Sequence, residues 1–128
     1  MRVLLDTHAF VWATTDDPRL SLAARAHIED PEIELLLSAA SAYELVWKAA
    51  VRGLRLPDEP ATWVRTRMQA FGVRALAVTV EHAAAAASLP TIHKDPWDRI
   101  LIAQARLDGI PLITIDSRIR EYDVEIIW

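Results

Sequence analysis

Four acidic residues stand beside apolar runs in this chain. Asp6 closes MRVLLD, Glu44 lies in SAYEL, Asp98 lies in HKDPWDRILIAQA, and Asp116 closes PLITID. Carboxylates drawn to one place repel each other unless a cation joins them. Hard oxygen donors of this kind suit Mg²⁺ or Mn²⁺. The chain has no cysteine, which removes zinc–thiolate sites, disulfides and thiol nucleophiles from consideration. It also has no G-x-S-x-G elbow and no glycine-rich phosphate loop.

Each acid also has an ordinary structural use. Asp6 is placed to cap a helix at Thr7–Ala13, and Asp116 to make the turn in DSR. Glu44 completes S-x-x-E with Ser41 and stands four residues before Lys48. In HKDPWDR, Asp95 at the cap, Pro96 at the first helical position and Asp98 at the third make a favourable helix start. Capping alone does not account for the apolar stripes these acids share. Asp98 shares a helical face with Leu101, Ile102 and Ala105, and Glu44 with Trp47 and Val51. Such stripes face a core, where an acid must be desolvated or matched by a cation.

The elements that would position these acids alternate. Strands are expected at Arg2–Leu5, Glu34–Leu37, Arg74–Val78, Pro111–Ile115 and Val124–Ile127. Helices are expected at Thr7–Ala13, Arg19–Asp30, Ser41–Arg52, Pro60–Phe71, Thr79–Leu89 and Pro96–Asp108. All three glycines fall where helices end. The alternation predicts an α/β fold with a mostly parallel sheet and helices on both faces. Sites in such sheets form at the carboxyl ends of the strands. Asp6, Glu44 and Asp116 belong at that edge by this rule, whereas Asp98 depends on the path of residues 90–95.

The length of 128 residues predicts a single domain over 1–128 with a sizeable core. The formal charge of −4 and pI of about 5.5 argue against a nucleic-acid binder by bulk charge. Twelve of the 14 basic residues are arginine, the residue suited to bidentate phosphate contact. The start is too soon charged for a signal peptide, and no apolar run reaches the roughly 18 residues of a membrane span. A soluble cytoplasmic protein with no membrane contact is the expectation.

The ordered set LLDTH, SAYEL, HKDPWDRILIAQA and LITID resembles the PIN-domain family, and within it the VapC-type ribonuclease toxins of prokaryotic toxin–antitoxin pairs. The resemblance runs from Val3 to about Trp128. It implies a three-layer α/β/α sandwich and a metal-dependent endoribonuclease that hydrolyses RNA phosphodiester bonds. It implies an acidic cluster of Asp6, Glu44, Asp98 and Asp116, with Asp6 and Asp98 as the principal metal ligands and Glu44 or Asp116 orienting the attacking water. Asp95 matches a recurrent acid of the subgroup, and Trp97 replaces its more frequent Phe. A homodimer, and an antitoxin whose C-terminal segment enters the groove, are implied as well.

Thr7, Ser38 and Ser117 are hydroxyls that either touch phosphate or metal-bound water or serve as caps and surface groups. His8 and His93 are expected to be hydrogen-bonded structural histidines. Arg52, Arg55, Arg65 and Arg67 are candidate RNA contacts. Trp12, Trp47 and Trp63 either fill a core or dimer contact or anchor an antitoxin segment. Two other classes compete. A catalytically inactive PIN-like binding module would bind a partner and cleave nothing. A phosphoacceptor receiver domain would also gather acids at a strand edge, but no lysine follows a late strand here and Asp98 sits in a helix.

Overall fold

Arg2–Leu5 forms the central strand because Val3, Leu4 and Leu5 leave it apolar on both faces. The computed structural model describes all residues, Met1–Trp128. In chain order the elements are β1 (Arg2–Leu5), α1 (Thr7–Thr14), α2 (Leu22–Glu29), β2 (Glu34–Ser38), α3 (Ala39–Val51), α4 (Pro60–Ala70), β3 (Arg74–Leu76), α5 (Val80–Ser88), α6 (Pro96–Asp108), β4 (Leu112–Ile113) and β5 (Ile126–Ile127). A short 3-10 helix, Ser117–Tyr122, lies between the last two strands. The five strands form one sheet in the order β3-β2-β1-β4-β5, and every pairing is parallel.

The strand period of two divides the core into two layers. Val3, Leu5, Leu35, Leu37 and Ile113 point to one face, where Phe10, Leu45, Trp63 and Val64 of α1, α3 and α4 cover them. Leu4, Leu36 and Leu112 point to the other, against Leu101, Ile102 and Ala105 of α6 and Ile119 and Tyr122 of the 3-10 helix. The result is the expected α/β/α sandwich. Register is well specified, since Leu4 pairs with both Leu36 and Leu112, and a slip of one residue would exchange the two faces.

Several boundaries differ from expectation for local reasons. The helix expected from Arg19 begins at Leu22. Asp17 folds back onto the Arg19 amide and guanidinium, and Ser21 caps the helix through Ala24 N–H. The expected S-x-x-E box does not form. Helix α3 starts at Ala39 with Ser38 as its cap, 3.0 Å from Ala40 N–H. Ser41 is therefore inside the helix, and its buried hydroxyl has no partner. Glu44 consequently belongs to the second turn rather than the first. Its expected stripe also fails at one end, because Val51 is 62% exposed. The last two strands have only two residues each, and the 3-10 helix that follows Asp116 was not anticipated.

Helix α6 matches its expected bounds. Asp95 accepts from the Trp97 and Asp98 amides, Pro96 starts the helix, and Gly109 ends it at φ +64°. That left-handed backbone is one that side-chain-bearing residues rarely adopt.

Candidate metal centre

Four peptide segments meet at the carboxyl edge of the sheet. Asp6 is delivered by β1, whose exit is tied down by a 3.0 Å bond from Asp6 N–H to the Ile113 carbonyl of β4. Asp116 follows β4 by the same parallel geometry. Asp98 comes from the first turn of α6, and Glu44 from the second turn of α3, which packs against α6.

The position of Asp98 depends on residues 90–95, and two side chains shape that connection. Arg99 spreads its guanidinium over five carbonyls, donating to Pro90, His93, Ala86 and Leu89 at 3.0, 3.0, 2.8 and 2.7 Å and to Ala87 at 3.5 Å. The Tyr122 hydroxyl donates to the Pro90 carbonyl at 2.7 Å and accepts from the Ile92 and His93 amides. An arginine with several hydrogen-bonded carbonyls around its fork is a rigid brace. The loop is thereby pinned to α5, α6 and the 3-10 helix at once.

His93 is buried at the centre of this arrangement. The Asp95 amide donates to its Nδ1 at 3.2 Å, so the ring proton belongs on Nε2. Nε2 lies 2.8 Å from Asp116 Oδ2 and 3.1 Å from Asp98 Oδ2. The expectation of a hydrogen-bonded histidine describes this residue well, but its partners are the acids of the cluster. His8 is exposed, lies on the rim of the cleft and stacks against Trp12 at 5.5 Å.

The acids differ in their company. Glu44 is 4% exposed; one oxygen accepts from the Thr7 hydroxyl and the other meets Lys48 Nζ. It does not line the cleft. Asp116 is held by both Nε and Nη2 of Arg118, at 3.0 and 2.8 Å. That pairing holds its carboxyl well below the usual range, near about 2. Asp6 accepts from the Ala9 amide at 2.7 Å; burial raises its pKa, and the nearby Thr114 side chain opposes that rise. Asp98 has only His93 within ion-pair distance, and burial together with the charges of Asp95, Glu44, Asp6 and Asp116 pushes it up to about 7.

This donor set fits a hard divalent cation. Asp6 and Asp98 are carboxylates at the cleft whose charged forms are disfavoured and which no lysine or arginine touches. A divalent cation held by these two carboxylates would offset that penalty. Asp116 lies beside them, its Oδ2 2.8 Å from the same His93 Nε2 that meets Asp98.

The hydroxyls divide by role. Thr7 serves Glu44, Ser38 caps α3, and Ser117 is exposed at the start of the 3-10 helix. Of the four candidate RNA arginines, none lines the acidic cleft. Arg52 stacks on Trp47, Arg67 stacks on Trp63 and donates to the Thr14 carbonyl, and Arg55 and Arg65 are exposed. The cationic side chains at the cleft are Lys94 and Arg118. Trp12 and Trp63 are core residues, whereas Trp47 packs against Trp97, which also meets the exposed Tyr43.

The residues not singled out from sequence are Thr114, Arg118, Arg99 and Tyr122. Arg118 carried the clearest signal, standing two residues after an acid in DSR. The other three act through contacts that lie beyond a helical turn or between elements, and no local pattern marks them.

Comparison with known proteins bears on the family and the fold. The PIN domain family model matches residues 3–125. Ribonuclease VapC22 of Mycobacterium tuberculosis (strain ATCC 25618 / H37Rv) is 36% identical over 121 residues, spanning 94% of this chain and 91% of the relative. Among solved structures, VapBC2 from Rickettsia felis, bound to a DNA fragment from its promoter, matches with a TM-score of 0.70 at 12% identity, covering 98% of this chain and 97% of the other. FitAcB from Neisseria gonorrhoeae matches at 0.63 and 20% identity over 97% and 95%. VapBC-1 from nontypeable Haemophilus influenzae matches at 0.66 and 17% identity over 98% and 96%. At these identities the structural matches speak to the fold.

Proposed function

The chain belongs to the PIN-domain family, and we propose that it is a metal-dependent endoribonuclease, the toxin of a toxin–antitoxin pair. One observation carries the metal reading: Asp6 and Asp98 lie on one cleft at the carboxyl edge of a parallel sheet with no lysine or arginine on either. The 36% identity to a ribonuclease supports RNA as the substrate.

Asp6 and Asp98 would hold Mg²⁺ or Mn²⁺. Such an ion lowers the pKa of bound water and neutralises phosphate oxygens. The chain's own residues supply the rest. His93, with its proton on Nε2, keeps Asp98 and Asp116 at a fixed spacing. Lys94 and Arg118 supply positive charge on the cleft for the phosphates of a bound strand. Glu44 is enclosed by Thr7 and Lys48 and orders the base of the cluster from behind. No covalent nucleophile is required.

The protein partner is an antitoxin, as the likeness to VapBC and FitAcB structures supports. Expression of this chain alone is expected to slow growth, and a small protein encoded beside it to relieve that effect.

The decisive test incubates contaminant-free protein with RNA. Cleavage should require Mg²⁺ or Mn²⁺ and stop in EDTA. Full cleavage in the chelator removes the metal mechanism. Tight partner binding with no cleavage of any RNA in either metal makes the chain a binding module instead.

A further inference from the structure

The Tyr122 hydroxyl spends every hydrogen bond it has on one short stretch of chain. It donates to the Pro90 carbonyl at 2.7 Å and accepts from the Ile92 and His93 amides. A hydroxyl has one proton and two acceptor sites, so none is left over. Tyr122 is 3% exposed and packs in the core layer with Leu101 and Ile102 of α6. A buried tyrosine needs a partner for its hydroxyl. It does not need three, all on the loop that leads to Asp98.

His93, at the end of that stretch, has no free polar group. Its amide goes to Tyr122, its carbonyl accepts from Arg99 at 3.0 Å, and its Nδ1 accepts from the Asp95 amide at 3.2 Å. That leaves Nε2–H, which faces Asp116 Oδ2 at 2.8 Å and Asp98 Oδ2 at 3.1 Å. The Nδ1 bond spans only two residues, so it turns the ring relative to the loop but does not fix where the loop lies. The bonds from Tyr122 and Arg99 do that.

Asp116 and Tyr122 are the two ends of one element. Asp116 caps the 3-10 helix Ser117–Tyr122, and Tyr122 is its last residue. Ile119 between them is 1% exposed and packs in the same core layer. The helix therefore grips His93 twice, by the ring at one end and by the backbone amide at the other. Arg99 grips the same loop from α6, the helix that carries Asp98.

We infer that Tyr122 is a positioning residue of the cleft: its hydroxyl places the His93 backbone so that Nε2–H is shared by Asp98 and Asp116, and so sets how those two carboxylates are presented. This rests on the reading of the cleft as a metal-dependent ribonuclease site. Tyr122 lines no part of the cleft. Its effect travels through residues 90–93 and one imidazole.

The test compares Tyr122→Phe, which removes only the hydroxyl, with Ile119→Val, which loosens the same 3-10 helix and keeps the Tyr122 hydroxyl. The first readout is nitrogen-15 and proton NMR of the His93 ring in the metal-free full chain. In the unmodified protein and in Ile119→Val the ring should hold its proton on Nε2, in slow exchange with water. In Tyr122→Phe that proton should exchange faster by about 10-fold or more, because the loop opens without the hydroxyl's bonds. The second readout is RNA cleavage in Mg²⁺. Tyr122→Phe should lower kcat by about 10-fold to 100-fold, the usual size for a group acting on a metal site from outside, and Ile119→Val should leave it near the unmodified value. In a His93→Gln background Tyr122→Phe should lower kcat no further, because no imidazole remains to be placed. If Tyr122→Phe does not fold, hydrogen exchange of the unmodified protein carries the same question: the Ile92 and His93 amides should open together with His93 Nε2–H.

An unchanged His93 ring in Tyr122→Phe, or an equal disturbance of that ring by Ile119→Val, overturns the inference. So does a full further loss of kcat in the His93→Gln background, or separate opening of the amides and the ring proton. None of these results touches the ribonuclease reading. An unmodified protein that cleaves no RNA in Mg²⁺ or Mn²⁺ overturns that reading and the positioning role with it.

Discussion

The starts of α3 and α6 both deliver an acid to the same cluster, and they do so in opposite ways. In α6 the cap Asp95 takes the first amides, leaving Asp98 one turn in, facing the cleft with no cation of its own. In α3 the cap is Ser38, and Glu44 lies deeper, closed between Thr7 and Lys48. An acid near the start of a helix is thus open to the cleft in one place and closed between a hydroxyl and a lysine in the other. What differs is the neighbour. Lys48, one turn beyond Glu44 on the same helix, reaches it. The nearest base of α6, Arg99, is turned away to the carbonyls of residues 86–93.

The largest contrast should come from neutralising each acid in turn. Asp98→Asn keeps the shape but removes the charge a divalent ion needs. Cleavage should fall to background and Mn²⁺ binding should be lost. Glu44→Gln should retain an ion, with affinity reduced by about 10-fold to 100-fold, the usual effect of an outer partner. Equal loss of Mn²⁺ in both variants would erase the distinction between the two helices.

Removing Lys48 addresses the closed side. Breaking a fully buried pair costs about 3–5 kcal/mol. Lys48 is 27% exposed, so solvent reduces the expected loss in Lys48→Met to about 1–3 kcal/mol. Denaturant unfolding of the metal-free protein measures it. Unchanged stability would mean that Glu44 does not depend on this lysine.

The open side should show itself in pH. Burial and neighbouring acids raise Asp98 to about 7, and burial raises Asp6. Each then binds its proton more tightly in the folded than in the unfolded chain. For Asp98 the resulting stabilisation is complete below about 4, the unfolded value, and is lost as the pH rises through about 7. Asp116 has the opposite sign. Arg118 holds it near about 2, so its contribution exists above the ordinary carboxylate value and disappears only as the pH falls toward 2. The melting temperature of EDTA-treated protein should therefore fall as the pH is raised from about 5 through about 7. Asp98→Asn should flatten that slope. A slope that survives in Asp98→Asn would place the titration elsewhere.

The smallest effect separates cap from ligand within α6. Asp95→Ala should cost about 0.5–2 kcal/mol, since the Trp97 and Asp98 amides lose their acceptor. Asp95→Asn, a nearly equal cap, should change stability little and retain substantial cleavage. An inactive Asp95→Asn beside an active Asp98→Asn would reverse the two assignments.

Much of this protein was legible in its residues. The alternation of short apolar strands with helical periods determined the α/β sandwich, because each pattern has only one geometry that buries it on a sheet. HKDPWDR determined the start of α6, since capping, proline and glycine chemistry act within a turn. The four acids could be named because each follows or opens such an element. Other features needed the folded chain. Ser38 and Ser41 are both good caps, and the end of β2 decides between them in favour of Ser38. The path of residues 90–95 depends on Arg99 and Tyr122 gripping carbonyls and amides of other elements. The division of the acids into open and closed depends on which bases reach them in space. Lys48 and Arg118 are near their acids in sequence, yet spacing does not say whether a long flexible side chain folds onto its neighbour or turns to solvent. His93 reaches Asp116 across 23 residues of chain and joins it to Asp98. Such contacts follow from the meeting of β1, β4, α3 and α6 at one sheet edge, where burial makes each pairing count, and no local stretch of sequence contains that edge.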